Sequence, residues 1–226
     1  MNGTWAENLL HYYTSLQLPQ LPKDIQWLHP QQSGEVTHLM EQFFEKYFKD
    51  AHQRTLLLGI NPGRFGAGVT GINFTAAKQL SQYCTIPHTL KLQSELSAEF
   101  IYEVIMQYGG PSLFYSRFFI GSVCPLGFVQ HGKNLNYYDD KQLLAAIESF
   151  IVEKLSQLVS LNVNKEMCIC IGGEKNYRYL NNFNEKHQWF KHIIALPHPR
   201  FIMQYRRKLK QEYVNEYLNE LAKAVG

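Results

Sequence analysis

Two side chains in this sequence suit an unusual kind of hydrolysis, and neither is an acid. Asn61 stands in LLLGINPGRFGAGVTGINF, from Leu56 to Phe74, where a short apolar run gives way to Pro62 and to Gly63, Gly66, Gly68 and Gly71. No Asp or Glu lies between Arg54 and Thr75. An amide can orient water through hydrogen bonds but does not take up a proton at neutral pH. It suits a reaction in which the leaving group departs first and water attacks a cationic centre late. Hydrolysis of an N-glycosidic bond, through an oxocarbenium-like state, is of that kind. What remains is to stabilise the departing base, and His198 could donate a hydrogen bond to that developing anion. Taken singly, Asn61 before a proline also reads as an Asx-type turn, and His198 as a structural histidine at a strand end.

Other site chemistries fit poorly. The glycines are not followed by the Lys-Ser/Thr of a Walker loop, and G-x-G-x-x-G is not met between Gly59 and Gly71. Cys84, Cys124, Cys168 and Cys170 form no C-x-x-C pair, so reduced, buried thiols are expected and a zinc or iron–sulfur site is poorly supported. Lys175 could in principle form a Schiff base, but a solvated or phosphate-contacting lysine at a helix start is the simpler reading.

The elements that must carry these residues follow from the pattern. RTLLLGI, RFFIGSV, MCICIGG and HIIALPH are short apolar runs without strict alternation, as in strands covered on both faces. Helical spacing intervenes at roughly 75–84, 94–108, 140–159 and 173–181, and a last helix spans about Leu209 to Ala224. This is α/β: a three-layer sandwich with a central four-stranded parallel sheet flanked by helices. GTWAENLLHYYTSLQL and GEVTHLMEQFFEKYFKD read as helices in an N-terminal part, residues 1–50, that wraps the core of a single domain. The proline-broken PQLPKDIQWLHPQ between them reads as an irregular connector. Each strand runs into special residues: Asn61-Pro62-Gly63, Ser122 with Cys124-Pro125-Leu126-Gly127, Gly172-Gly173-Glu174-Lys175, and Pro197-His198-Pro199-Arg200. Ligands bind at the carboxyl ends of parallel strands, so these segments converge on one edge.

The 226 residues are 45% hydrophobic and 18% charged, with a net charge of +3, which fits one well-formed core and excludes a disordered chain. The apolar runs are too short to cross a bilayer, and Glu7 near the start argues against a signal peptide. A cytoplasmic or nucleoid-associated protein (nuclear in a eukaryote), not secreted, is the expectation. In RFIMQYRRKLK the cations Arg206, Arg207, Lys208 and Lys210 have no acid among them, a run that could meet phosphate or form a solvated helix face.

GINPGRFGAGVTGINF resembles the first motif of the uracil-DNA glycosylase superfamily, above all its single-strand-selective monofunctional branch, G-M-N-P-G-P-F-G with a T-G-x-x-F ending. SELS (Ser94 to Ser97), VCPL (Val123 to Leu126), GKNL (Gly132 to Leu135) and His198-Pro199 continue the likeness over residues 54 to 208. The resemblance implies a glycosylase that needs no metal or cofactor and uses water as nucleophile. It implies that Asn61 positions this water and that Gly63 lets the flipped nucleotide approach. It implies likewise that Phe74 stacks on the base and that His198 stabilises the departing anion.

Two departures matter. Where the branch reads uracil with asparagine, this chain has Ser122. Its rotatable hydroxyl implies weaker uracil preference and tolerance of a larger deaminated base such as xanthine or hypoxanthine. After His198 the segment is shorter than in the branch. Arg200 matches the family arginine, while Phe201, Ile202 and Met203 offer an apolar wedge and Arg206, Arg207 and Lys208 contacts to phosphate. The expected partner is DNA carrying damaged bases, single- or double-stranded, bound by a monomer. The alternatives are a non-catalytic nucleic-acid or nucleotide-binding protein on the same fold and, third, a hydrolase of free nucleosides.

Overall fold

The computed structural model describes residues 3–93 and 95–224; Ser94 of the SELS segment lies outside the described residues. The chain opens with helix α1 (Trp5–Thr14), strand β1 (Ile25–Leu28) and helix α2 (Gly34–Tyr47). Helix α1 starts on a capping box in which Thr4 accepts from the Glu7 N–H and the Glu7 carboxylate accepts from the Thr4 N–H. Its Leu9 and Tyr13, and Phe43, Phe44 and Met40 of α2, are buried in the main core.

Strand β2 (Arg54–Gly59) follows, every residue of it buried. Then come helices α3 (Ala67–Thr70), α4 (Ala77–Gln82), α5 (Leu96–Tyr108) and α6 (Pro111–Arg117), and strand β3 (Phe118–Ser122). Strands β4 (Gly127–Gln130) and β5 (Lys133–Leu135) precede helix α7 (Lys141–Val159) and strand β6 (Val163–Cys170). Helix α8 (Gly173–His187), strand β7 (His192–Ala195), helix α9 (Pro199–Tyr205) and helix α10 (Lys210–Ala224) complete the chain.

The main sheet is parallel, in the order β3-β2-β6-β7, with helices flanking it. The four apolar runs of the sequence are these four strands. Central β2 is thus bracketed, and Gly59 sits opposite Ser122 at the carboxyl edge. The cysteines are all free and buried.

A second, antiparallel sheet, β1-β4-β5, corrects the reading of the proline-broken segment as irregular. Ile25 to Leu28 pair with Gln130 to Gly127, and the Trp27 Nε1–H donates to the Pro19 carbonyl at 3.2 Å. The prolines at 19, 22 and 30 bound the strand rather than interrupt it, which a four-residue strand permits.

The opposite edge of the main sheet is closed by charge. Arg54 is fully buried and pairs with both Asp50 oxygens at 2.7 and 2.8 Å, while its Nε–H donates to the Tyr115 carbonyl at 2.7 Å. The guanidinium also lies 5.3 Å from the Trp5 ring and 4.9 Å from the Phe48 ring. Both the first and the last helix are stitched here. The Trp5 backbone N–H donates to the Asp50 carbonyl and its Nε1–H to the His52 carbonyl, while Thr55 Oγ1–H and Asn164 Nδ2–H donate to the Ala224 carbonyl.

Candidate active site

At the carboxyl edge, Asn61 leaves β2 and is held by main chain alone. Its Oδ1 accepts from the Tyr137 N–H at 3.0 Å. Its Nδ2 donates to the Leu135 carbonyl at 3.2 Å and the Pro62 carbonyl at 3.3 Å. One partner is only a donor and the others only acceptors, so the amide has a single satisfied orientation. Both its N–H bonds are spent, and one lone pair on Oδ1 is left over. The loop between β5 and α7 thus serves to set this side chain, a dependence invisible in the first motif.

Phe74 reaches the same edge by a left-handed backbone (φ 53°). The turn is held from inside: Thr70 Oγ1–H donates to the Thr75 carbonyl at 2.6 Å, and Thr75 Oγ1 meets the Tyr102 hydroxyl at 3.1 Å. The Phe74 ring lies close against the bare backbone of Gly59, where a Cβ would stand 2.6 Å from its Cε2. Gly63 has a different reason to be glycine. A Cβ there would meet only Asn134 Nδ2, at 3.3 Å, so the bare face is open to the cavity.

His198 ends the loop after β7 and caps α9. Its Nδ1 accepts from the Arg200 N–H at 3.0 Å. A ring nitrogen that accepts carries no proton, so the neutral tautomer bears its hydrogen on Nε2. Burial, then the charge of Arg200, lowers the imidazole pKa from 6.5 to about 4, which keeps the ring neutral at physiological pH. The Tyr217 hydroxyl donates to the Pro197 carbonyl and steadies the loop. The His198 and Phe74 ring centroids are 6.1 Å apart.

One cavity of about 220 Å³ gathers Asn61, Gly63, Phe74, Ser122, His198 and Arg200. Among the sequence candidates these six come together; Phe201, Met203, Arg206, Arg207 and Lys208 do not line it. Ser122 is buried, and its hydroxyl donates to Asn73 Oδ1 at 2.8 Å. Asn73 in turn donates from Nδ2 to the Tyr13 hydroxyl at 3.0 Å.

The cavity also holds residues that the sequence reading passed over: Asn73, Glu95, Asn134 and Asn136. Glu95 brings a carboxylate to a cavity whose first loop has none. It belongs to another segment, as the N-cap of α5, where its carboxylate accepts from the Ser97 N–H at 3.1 Å and the Ala98 N–H at 2.7 Å. Its position in SELS, just ahead of a helix, was the available signal. At the rim, the Arg64 guanidinium lies 5.0 Å from the ring of Phe65, which is exposed.

The segment after His198 also departs from expectation. The apolar stretch 201–203 is the middle of helix α9, and helical geometry sends its residues to different sides. Ile202 and Met203 are buried in the core, so Met203 offers no surface to a nucleic acid. Phe201 remains outside, 42% exposed, with Tyr205 beside it at 5.7 Å and the Arg206 guanidinium over its ring at 5.6 Å. Arg206, Arg207 and Lys208 are exposed next to this aromatic pair, whereas Lys210 is paired with Glu103. Lys175 is exposed, bonds Asp139 at 3.1 Å and lies 4.5 Å from the Tyr138 ring. Among the described residues no cluster of His, Cys, Asp or Glu could hold a metal ion, and no helix is long and apolar enough to cross a membrane.

The family model of the uracil DNA glycosylase superfamily matches residues 45–222. The crystal structure of wild-type SMUG2 from Pedobacter heparinus superposes with a TM-score of 0.94 at 40% identity, covering 97% of each chain. No curated protein matched in a sequence comparison.

Proposed function

Because the chain belongs to the uracil DNA glycosylase superfamily, and is thereby a DNA glycosylase of base-excision repair, we propose that it works by a monofunctional route with water as the nucleophile. The observation that carries this is the meeting of an orientation-locked amide, an aromatic face and a neutral histidine in one cavity. A base flipped out of the stack lies on Phe74, a contact worth about 1–3 kcal/mol. Gly63 leaves room for the sugar. The C1′–N bond breaks with its electron pair leaving on the base, and the His198 Nε2–H bonds that anion. The carboxylate of Glu95 in the cavity wall favours the cationic sugar. Water then donates a hydrogen bond to the spare lone pair of Asn61 Oδ1, which turns its own lone pair toward C1′; as the O–C1′ bond forms, the water gives up a proton that ends on the departed base anion.

Lys175 is a poor nucleophile in this arrangement, since it is an exposed cation paired with Asp139. Arg200, Arg206, Arg207 and Lys208 grip the phosphates, and Phe201 enters the gap left by the flipped nucleotide. The base is uracil or another deaminated base, xanthine and hypoxanthine included. One domain, acting as a monomer wherever the cell keeps its DNA, suffices for this chemistry.

Oligonucleotides carrying uracil, xanthine or hypoxanthine, single- and double-stranded, test the proposal. Incubation followed by alkali should break the strand at the damaged base. Borohydride present during the reaction should trap no protein–DNA adduct. A trapped adduct would overturn the water mechanism, and intact strands with every base would leave only a binding protein.

A further inference from the structure

We infer that Asn73 is the residue that reads the base edge, with Ser122 and Tyr13 as the groups that position it. The inference rests on the glycosylase reading above and names the specificity element of that same cavity.

The argument begins with unspent valence. Asn73 lines the cavity, is buried, and directly precedes Phe74, the ring on which the base lies. Its amide makes two hydrogen bonds: Oδ1 accepts from Ser122 Oγ–H at 2.8 Å, and Nδ2 donates to the Tyr13 hydroxyl at 3.0 Å. An amide has two acceptor lone pairs and two N–H donors. One of each therefore remains on Asn73. A buried amide left half-satisfied costs free energy unless a partner arrives, so the remaining pair marks a place for a ligand edge.

Of the other amides in the cavity, Asn134 is exposed and Asn136 half-buried, so water satisfies them, and the remaining side chains are less free. Asn61 has spent both its N–H bonds on main-chain carbonyls. Ser122 uses its only proton on Asn73. His198 has one nitrogen committed to the Arg200 N–H. Asn73 alone of these four still offers a donor and an acceptor side by side on one plane. The complementary ligand edge is –NH–C(=O)–, the lactam common to uracil, xanthine and hypoxanthine. Ser122 then reads the base only through Asn73.

The position of Asn73 is built rather than incidental. The Thr75 hydroxyl donates to its carbonyl at 3.2 Å, and the Thr70 hydroxyl accepts from the next-door Ile72 N–H at 3.2 Å. The Tyr13 hydroxyl comes from α1, buried and kept protonated by that burial. The N-terminal helix thus takes part in base selection, which gives a function to a segment far from the first motif.

The test compares single-turnover excision of uracil, xanthine and hypoxanthine by the wild-type protein and by Asn73→Ala, Ser122→Ala and Tyr13→Phe, with binding to an abasic-site duplex measured in parallel. Asn73→Ala should slow excision of lactam bases about 100-fold, as loss of an oriented polar contact does, while abasic-site binding changes less than about threefold. Ser122→Ala and Tyr13→Phe each remove one of two holders and should slow excision about 10-fold and alter the uracil-to-xanthine ratio. Tyr13→Phe keeps the ring and therefore guards against a variant that simply fails to fold. Unchanged rates and base ratios in all three variants, with an active wild type, would overturn the inference while leaving the glycosylase reading intact. A wild type inactive on every base would instead remove the glycosylase reading and this inference with it.

Discussion

Strand β2 begins and ends in opposite ways. At Arg54 a charge is taken fully out of water and closed off by Asp50, the Tyr115 carbonyl and two aromatic rings. At the other end Asn61, Asn73 and His198 are neutral, and their amides and imidazole keep a lone pair or an N–H in reserve. A buried ion must be paired at once or it destabilises the fold. A neutral amide can wait for its ligand at smaller cost. One edge of the sheet is therefore suited to holding the frame and the other to meeting a substrate.

Four experiments would break or sharpen that contrast. The largest effect is expected from Asp50→Ala, which leaves the Arg54 guanidinium buried without its counter-charge. Stability should fall by about 3 kcal/mol in urea unfolding, while the fraction that stays folded excises at the wild-type rate. Slower chemistry in that folded fraction would mean the two ends are coupled.

Asn61→Ala comes next and should do the converse. Excision should slow about 100-fold, close to 2.7 kcal/mol of barrier, with a stability loss of about 1 kcal/mol. Wild-type excision would remove Asn61 from the reaction.

Gly59→Ala should have an intermediate effect. The added Cβ, 2.6 Å from the Phe74 ring, must push that ring off its seat. Substrate affinity should drop by part of the roughly 1–3 kcal/mol of base stacking, seen as weaker binding to uracil-containing than to undamaged single strands. A variant that binds both as the wild type does would show that the ring's seat is unimportant.

The mildest effect near neutrality is that of pH. The folded pKa of His198, about 4, lies below the ordinary imidazole value of 6.5, so the unfolded chain takes up a proton first. Stability from this end is lost as pH falls from about 6.5 through about 4. Hydrogen bonds from Arg54 hold Asp50 below its usual range, so its contribution lasts until pH falls through that lowered value. The site edge should therefore weaken first on acidification. Excision should stay flat from pH 8 to about 5 and decline toward 4, where a proton on Nδ1 would face the Arg200 N–H. A decline already beginning between pH 7 and 6 would contradict the lowered pKa.

Much of this was legible in the sequence because the main sheet is made of contiguous apolar runs, each followed by its own special residues. Asn61, Phe74 and His198 could be singled out because each stands just beyond such a run or its glycines. What stayed hidden depends on partners distant in sequence. Glu95 enters the cavity only because α5 packs beside the Gly66 turn. Asn73 falls on an unspecified position of the T-G-x-x-F ending, and its partners Tyr13 and Ser122 lie 60 and 49 residues away in sequence. Strand β1 is too short to announce a period, and its pairing with β4 is a tertiary event. Met203 does not join the apolar wedge with Phe201, because the helix assigns each residue of the triplet its own side.

The stitching of α1 and α10 to the Arg54 edge has a practical corollary. Trp5 is tied to Asp50 and His52, and Ala224 to Thr55 and Asn164, so both outer helices are moored beside the first residues of β2. A tether, label or fused partner attached beyond either helix would project from the edge of the sheet opposite the cavity. Surface immobilisation through such a handle leaves the mouth facing solution, ready to scan a strand drawn past it.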